Sequence, residues 1–424
     1  MRLPLRLATI AAALTLVQAM GAQEIRRAEP VHLFPGPTPV EIRRALPVYP
    51  APPQSLPPQQ QSEPAPPPPP TATPIPQPRL PAASVNDTAR FLAGLPISES
   101  SSLVPLTREP SWQQHAAVFN QAWARLATRQ FAGIRSWEAN YLPQASGPVP
   151  VVYYLFSGPD YLYADQFFPN ASTYILAGTE PIGPLPDITG FAGPSLDSVL
   201  HNLQTALNSV LSFSFFITKD MKADLQRDEL KGTLPIFYVF LARAGKTITD
   251  ISFLTLDRDG NPTITSPGAS LHGSTPGVRI TFAGAPGSPA QTLYYFTTDL
   301  SNEGIRSHPG FMKFCASQNV GMSLLKSASY LMFQSGFENV RDFLLTHSSA
   351  IIEDDSGIPL KDFDPAKWNL RLFGSYTTPI DLFKEHYQPD LAALYNQSHP
   401  PPLEFGIGYR WSRTRSTLIL AQHK

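Results

Sequence analysis

The sequence predicts an α/β fold: a mixed, largely parallel sheet with a Rossmann-like first βαβ unit, inserted antiparallel hairpins, and helices on both faces. Three observations predict it. Residues 149–156 form an unbroken apolar and aromatic run, as expected of a strand buried on both faces. A short helical stretch (161–168) and a second apolar run (173–177) complete a βαβ unit within about 30 residues, which implies a parallel strand pair. Further along, the pairs 248–256/262–265 and 278–282/292–297 are separated by turn-rich segments and read as hairpins.

The chain begins with Arg2 and Arg6, an apolar run over 7–17, and small residues at Ala19, Gly21 and Ala22. That is the layout of a secretory signal over 1–22, and the run is too short to span a bilayer. The expected location is the periplasm or the outside of the cell. There ATP, NAD and S-adenosylmethionine are not supplied, so no cofactor is expected. No second stretch reaches transmembrane length. Residues 30–81 hold 20 of the 47 prolines, including the run Pro66 to Pro70. Residues 23–83 therefore read as a proline-rich disordered arm, favouring polyproline II over any core. Within it, Glu24-Ile25-Arg26-Arg27-Ala28-Glu29-Pro30-Val31 returns as Glu41-Ile42-Arg43-Arg44-Ala45-Leu46-Pro47-Val48. The repeat is either a local duplication in a linker or a bivalent ligand for an envelope partner.

Residues 84–424 are expected to form one α/β domain. Trp112, Ala116, Phe119, Trp123, Leu126 and Phe131 recur at helical spacing, giving an amphipathic helix from Ser111 to about Trp137. After the βαβ unit, Leu196, Val199, Leu200, Leu203, Leu207 and Val210 mark another helix. Residues 234–244 are apolar all round and read as a buried helix ended by Gly245, with a strand as the alternative. Helices are expected around 305–316, 323–333, 337–346 and 390–397, and strands over 350–353, 369–376 and 417–421. The formal net charge is −1, so nothing favours binding to nucleic acid. The single cysteine, Cys315, lies in an apolar setting and reads as a buried thiol.

Candidate sites follow from topology, because ligands in open α/β sheets bind beyond the carboxyl ends of the strands. The turn Phe156-Ser157-Gly158-Pro159-Asp160 and the acid Glu180 in Ala177-Gly178-Thr179-Glu180-Pro181 fall there. Ser157, Gly158, Asp160 and Glu180 are the candidate ligand-binding residues. Glu353-Asp354-Asp355-Ser356-Gly357 follows another apolar run, and adjacent carboxylates could hold a hard cation or supply a general base. Asp160, Asp354 and Asp355 are the catalytic candidates. The bland reading of the 353–357 turn is a solvated loop with capping acids. Asp257-Arg258-Asp259-Gly260-Asn261 imitates part of a calcium loop but is explained by a hairpin turn. Ser323-Leu324-Leu325-Lys326 matches Ser-x-x-Lys without the companion motifs of penicillin-recognising enzymes. The histidines lack ligand spacing, so no metal site is expected. Tyr409-Arg410-Trp411-Ser412-Arg413-Thr414-Arg415 reads as an exposed hairpin with edge arginines, the alternative being a site for a phosphate, sulfate or acidic glycan.

The βαβ unit resembles the first unit of class I methyltransferases, where a small-residue turn follows strand one and an acid follows strand two. Here the turn has one glycine, Pro159 lies inside it, and Glu180 sits beyond the strand end. Tyr153–Asp160, Lys326–Leu331 and Asp354–Pro359 also resemble an uncharacterised family of exported bacterial proteins, which implies no activity and no site. The expectation is therefore a non-catalytic binding or envelope-associated module. The alternatives are a cofactor-free hydrolase using the strand-end carboxylates and a degenerate methyltransferase-like domain.

Overall fold

The computed structural model describes residues 84–142, 149–216, 230–269, 273–284 and 287–424. The signal and the proline-rich arm expected over 1–83 lie outside the described residues. The chain opens with α1 (Val85–Leu92), α2 (Pro110–Leu126) and α3 (Ala132–Tyr141). A π-turn over Ala127–Phe131 joins α2 to α3, so the single long helix expected there is continuous through a bulge. Then come β1 (Val151–Tyr154), α4 (Tyr161–Phe167) and β2 (Thr173–Gly178). Helices α5 (Pro194–Phe213) and α6 (Leu234–Arg243) precede β3 (Thr247–Leu256), β4 (Pro262–Ile264), β5 (Thr275–Ala283) and β6 (Gln291–Thr297). Next are α7 (Asn302–Ser307), α8 (Gly310–Ala316), β7 (Gly321–Leu325), α9 (Glu338–His347) and β8 (Ser348–Glu353). The chain closes with β9 (Trp368–Gly374), α10 (Pro389–Ser398) and β10 (Thr417–His423).

The strands form one ten-stranded mixed sheet in the order β4-β3-β5-β6-β2-β1-β7-β8-β10-β9. Its centre, β6-β2-β1-β7-β8, is parallel throughout. Both flanks are antiparallel: β4-β3-β5 joins β6 on one side, and β10-β9 joins β8 on the other. The parallel β1–β2 pair and both hairpins are those expected from the sequence.

The run at β1 is unbroken because the strand feeds two cores. Val152 and Tyr154 pack in the cluster containing α1 to α6, while Val151, Tyr153 and Leu155 pack in the cluster containing α8 and α9. With helices on both faces no side of β1 meets water, so no polar residue interrupts it. Cys315 is fully buried in the second cluster, and burial raises its thiol pKa well above the usual range.

One element departs from expectation. Residues 323–333 read as a helix, but Gly321–Leu325 is a central parallel strand, followed by a turn and a short 3₁₀ segment at Leu331–Phe333. Leu, Met, Lys and Ala favour helix locally. Ladders to β1 on one side and β8 on the other decide the matter, because tertiary pairing outweighs a propensity worth tenths of a kcal/mol per residue. The 409–415 segment is not a hairpin either: it leads into β10 by turns, and Tyr409 is turned inward.

Candidate functional site

In the parallel centre, β1 runs on to β2 on one side, while β7 and β8 lie on the other. The crevice between the carboxyl ends of β1 and β7 is therefore a topological switch point, the usual ligand position of a doubly wound sheet. Every candidate residue named from the sequence lies along this edge of the sheet.

Asp160 follows β1 and caps α4, its Oδ1 accepting the Tyr163 backbone N–H at 3.2 Å. Its Oδ2 accepts the Tyr154 hydroxyl at 2.9 Å and pairs with Lys326 Nζ at 2.9 Å. Lys326 is the first residue after β7, so the pair bridges the switch point itself. Both side chains are buried, 1% and 2% exposed. The ammonium also donates to the Ser214 carbonyl and lies 4.4 Å from the Tyr163 ring centroid. A charge at this depth persists only when paired and hydrogen-bonded on all sides, and this one is. Burial, reinforced by the Asp160 charge, drives the Tyr154 hydroxyl pKa well up, so Tyr154 serves as a donor.

The turn residues are likewise engaged from within. Gly158 has φ +54°, a conformation that favours glycine, and its N–H donates to Ala177 O at 3.0 Å, locking the β1 turn to β2. Ser157 donates its hydroxyl to Gly158 O at 2.7 Å. Glu180 is 2% exposed. Its carbonyl accepts the Tyr295 and Thr297 hydroxyls at 3.0 and 2.8 Å. A Cβ at Gly178 would meet Glu180 Oε2 at 2.3 Å and Gly158 Cα at 2.9 Å, so the ends of β1 and β2 are close-packed there.

Beyond β7 the backbone is strained. Ser327, Ser329 and Tyr330 all adopt positive φ, at 54°, 54° and 53°. Such non-glycine conformations cost of order 1–3 kcal/mol each and persist where surrounding contacts impose them. Asp354 and Ser356, just after β8, supply those contacts. Asp354 Oδ2 accepts the Ser327 N–H at 2.9 Å, and Ser356 Oγ accepts the Ala328 N–H at 2.8 Å. Asp354 Oδ1 accepts the Ser356 N–H at 2.9 Å and its hydroxyl at 2.5 Å. Tyr409 donates to Ser327 O at 2.9 Å, and its own oxygen lies 2.8 Å from Ser329 Oγ. The expected solvated loop at 353–357 is thus a buried clamp.

Asp355 accepts the Tyr330 hydroxyl. Burial raises its carboxyl to about 7, with the Asp354 charge adding to the shift. Glu353 is fully buried, its Oε2 accepting the Ile358 N–H at 2.8 Å, while Oε1 has no hydrogen-bond partner among the described residues. Burial pushes its pKa well above the usual value of a glutamate. Among the described residues no cluster of His, Cys, Asp and Glu has the arrangement of a metal site. The edge can store a proton on Asp355, while Asp160, Glu353 and Asp354 each accept a backbone N–H.

The Asp257–Asn261 turn is a hairpin turn: Asp257 accepts the Asp259 and Asn261 N–H groups at 2.8 and 2.9 Å. Three residues of the edge were not anticipated as partners: Lys326, Tyr330 and Tyr409. For Lys326 the usable signal is a lone cation directly after an apolar run, opposite an acid directly after another. Comparison with family models, characterised proteins and solved structures finds no match to this chain.

Proposed function

We propose that this chain is an exported, non-catalytic binding module built on a methyltransferase-like scaffold whose ligand crevice is filled by its own side chains. The observation that carries the reading is the Lys326–Asp160 pair, which occupies the switch point and engages the groups that would face a ligand. The scaffold argument rests on strand order. Strands β6-β2-β1-β7-β8 follow the doubly wound order 3-2-1-4-5. A shared strand order carries no activity by itself. Envelope association through the proline-rich arm and its repeated Glu-Ile-Arg-Arg motif belongs to the same proposal.

The test is calorimetric titration of the mature chain with S-adenosylmethionine and S-adenosylhomocysteine. No binding tighter than about 100 μM, roughly −5.5 kcal/mol, is expected. A measurable affinity for either would overturn the reading. One observation favours a second reading, a cofactor-free hydrolase: the Asp355 carboxyl near 7 beside Tyr330 has the pKa of a general acid or base. Hydrolysis of ester, phosphoester or glycoside reporters that Asp355→Asn abolishes would establish that alternative.

A further inference from the structure

Ser327, Ser329 and Tyr330, three of the four residues after Lys326, stand in the left-handed region without being glycine. Tyr330 is the extreme case, since a bulky side chain tolerates that region least. The side chains that anchor this turn come from other segments. Asp354 takes the Ser327 N–H, Ser356 the Ala328 N–H, and Asp355 the Tyr330 hydroxyl. Tyr409 holds the Ser327 carbonyl and the Ser329 hydroxyl. Such a conformation persists only while those contacts do.

The anchoring residues carry more carboxyls than their surroundings balance. Asp160, Glu353, Asp354 and Asp355 are 1%, 0%, 1% and 5% exposed. Lys326, the one fully buried lysine among the described residues, is engaged by Asp160. Arg410 faces Asp355 from the segment before β10, but its Nε and Nη2 donate to the Thr378 and Pro379 carbonyls. Tyr376, after β9, and Tyr395, on α10, face Asp355 as neutral hydroxyls. On the remaining side Tyr330 donates to Asp355, and His386 stacks on the Tyr330 ring at 5.1 Å, with Glu385 3.7 Å from it. Burial lowers the His386 pKa, so the ring loses its charge at lower pH than Asp355 does. A second negative charge beside Asp354 has no buried cation of its own, and it is relieved only where water reaches it.

We infer that residues 327–330 are a pH-gated strap: loss of the Asp355 proton shifts the turn toward an open conformation, in which the left-handed residues relax, Asp355 reaches water and the Lys326 end of the crevice is uncovered. Such a strap operates whether or not the crevice accepts a ligand, and so goes beyond the proposed function. The closed strap holds the carboxyl near 7, whereas in water it returns to its ordinary 3.8. Closure is therefore favoured most at low pH. The opening constant rises about tenfold per pH unit up to 7 and levels off above it.

Amide hydrogen exchange in the full chain tests it, under conditions where reclosing outpaces exchange. Protection of the Ser327 and Ala328 amides, corrected for intrinsic exchange, should fall about thirtyfold between about pH 5.5 and 8. At each pH these amides should exchange at least about a hundredfold faster than those of β1, which is paired on both edges, because the strap opens without global unfolding. Asp355→Asn still accepts from Tyr330 and should leave strap protection unchanged across the range. Strap amides that exchange only at the β1 rate would overturn the inference, as would a local opening that does not respond to pH. An undiminished pH response in Asp355→Asn would overturn it too. The first two outcomes are read on the wild-type chain, so they decide the matter even if the variant does not fold.

Discussion

Lys326 Nζ and Asp160 Oδ2 meet 2.9 Å apart at the carboxyl ends of two adjacent parallel strands, both side chains nearly sealed from water. Each residue is the other's reason for being charged there. The pair takes the place in the sheet where doubly wound proteins hold a ligand.

Removing one member strands the other. Lys326→Met leaves Asp160 buried without its cation and should cost about 3–5 kcal/mol in urea unfolding. Lys326→Met combined with Asp160→Asn should recover a large part of that loss. A single variant costing less than about 1 kcal/mol would mean that solvent reaches the pair.

The proton on Asp355 gives a pH signature. Its folded pKa is raised to about 7, so its stabilisation is fully present below the unfolded value near 3.8 and is lost as pH rises through 7. Asp355→Asn removes this dependence and can still accept from Tyr330. Relative to wild type, the variant should gain about 2 kcal/mol between pH 5.5 and 8.5, at about 1.4 kcal/mol per pH unit below 7. A stability difference that is flat across that range would refute the raised pKa.

His115 works in the opposite direction. Its ring is buried between the Leu92 carbonyl and the Gln204 amide, and burial lowers its pKa to about 4. Stability from the neutral ring is complete above about 6.5 and is lost as pH falls through 4. His115→Gln should flatten the acid limb of the thermal melting profile below pH 6, and an unchanged limb would count against this assignment.

The strained turn offers a stabilising change. Ser327 has φ 54° and a buried hydroxyl without a hydrogen-bond partner among the described residues, while its N–H holds Asp354. Ser327→Gly keeps that hydrogen bond and relieves the left-handed conformation, for a net gain of up to about 1 kcal/mol. Ser329→Gly relieves similar strain but loses the contact with Tyr409, so its melting temperature should fall below that of Ser327→Gly.

Leu155, fully buried just after β1, tests the two-faced core. Leu155→Ala should cost about 2–5 kcal/mol through lost burial and a residual cavity. A loss under about 1 kcal/mol would contradict the packing described here.

The sequence by itself determined the α/β class, the first βαβ unit, both hairpins and the edge on which Asp160 and Glu180 lie; Asp354 and Asp355 share that edge only because β8 pairs parallel to β7. The former are local matters. An unbroken run such as 151–156 reports burial on both faces, and a short crossover makes β1 and β2 parallel, so their ends share an edge. Tertiary structure alone decided what those acids do. Residues 321–325 are a strand because β1 and β8 pair with them, and only that pairing sets Lys326 beside Asp160 and the Ser327 turn above Asp354. Whether a strand-end carboxylate faces water, a cation or a backbone N–H depends on partners far along the chain. Local pattern carries no information about them: it records the period of burial, not the identity of the neighbour.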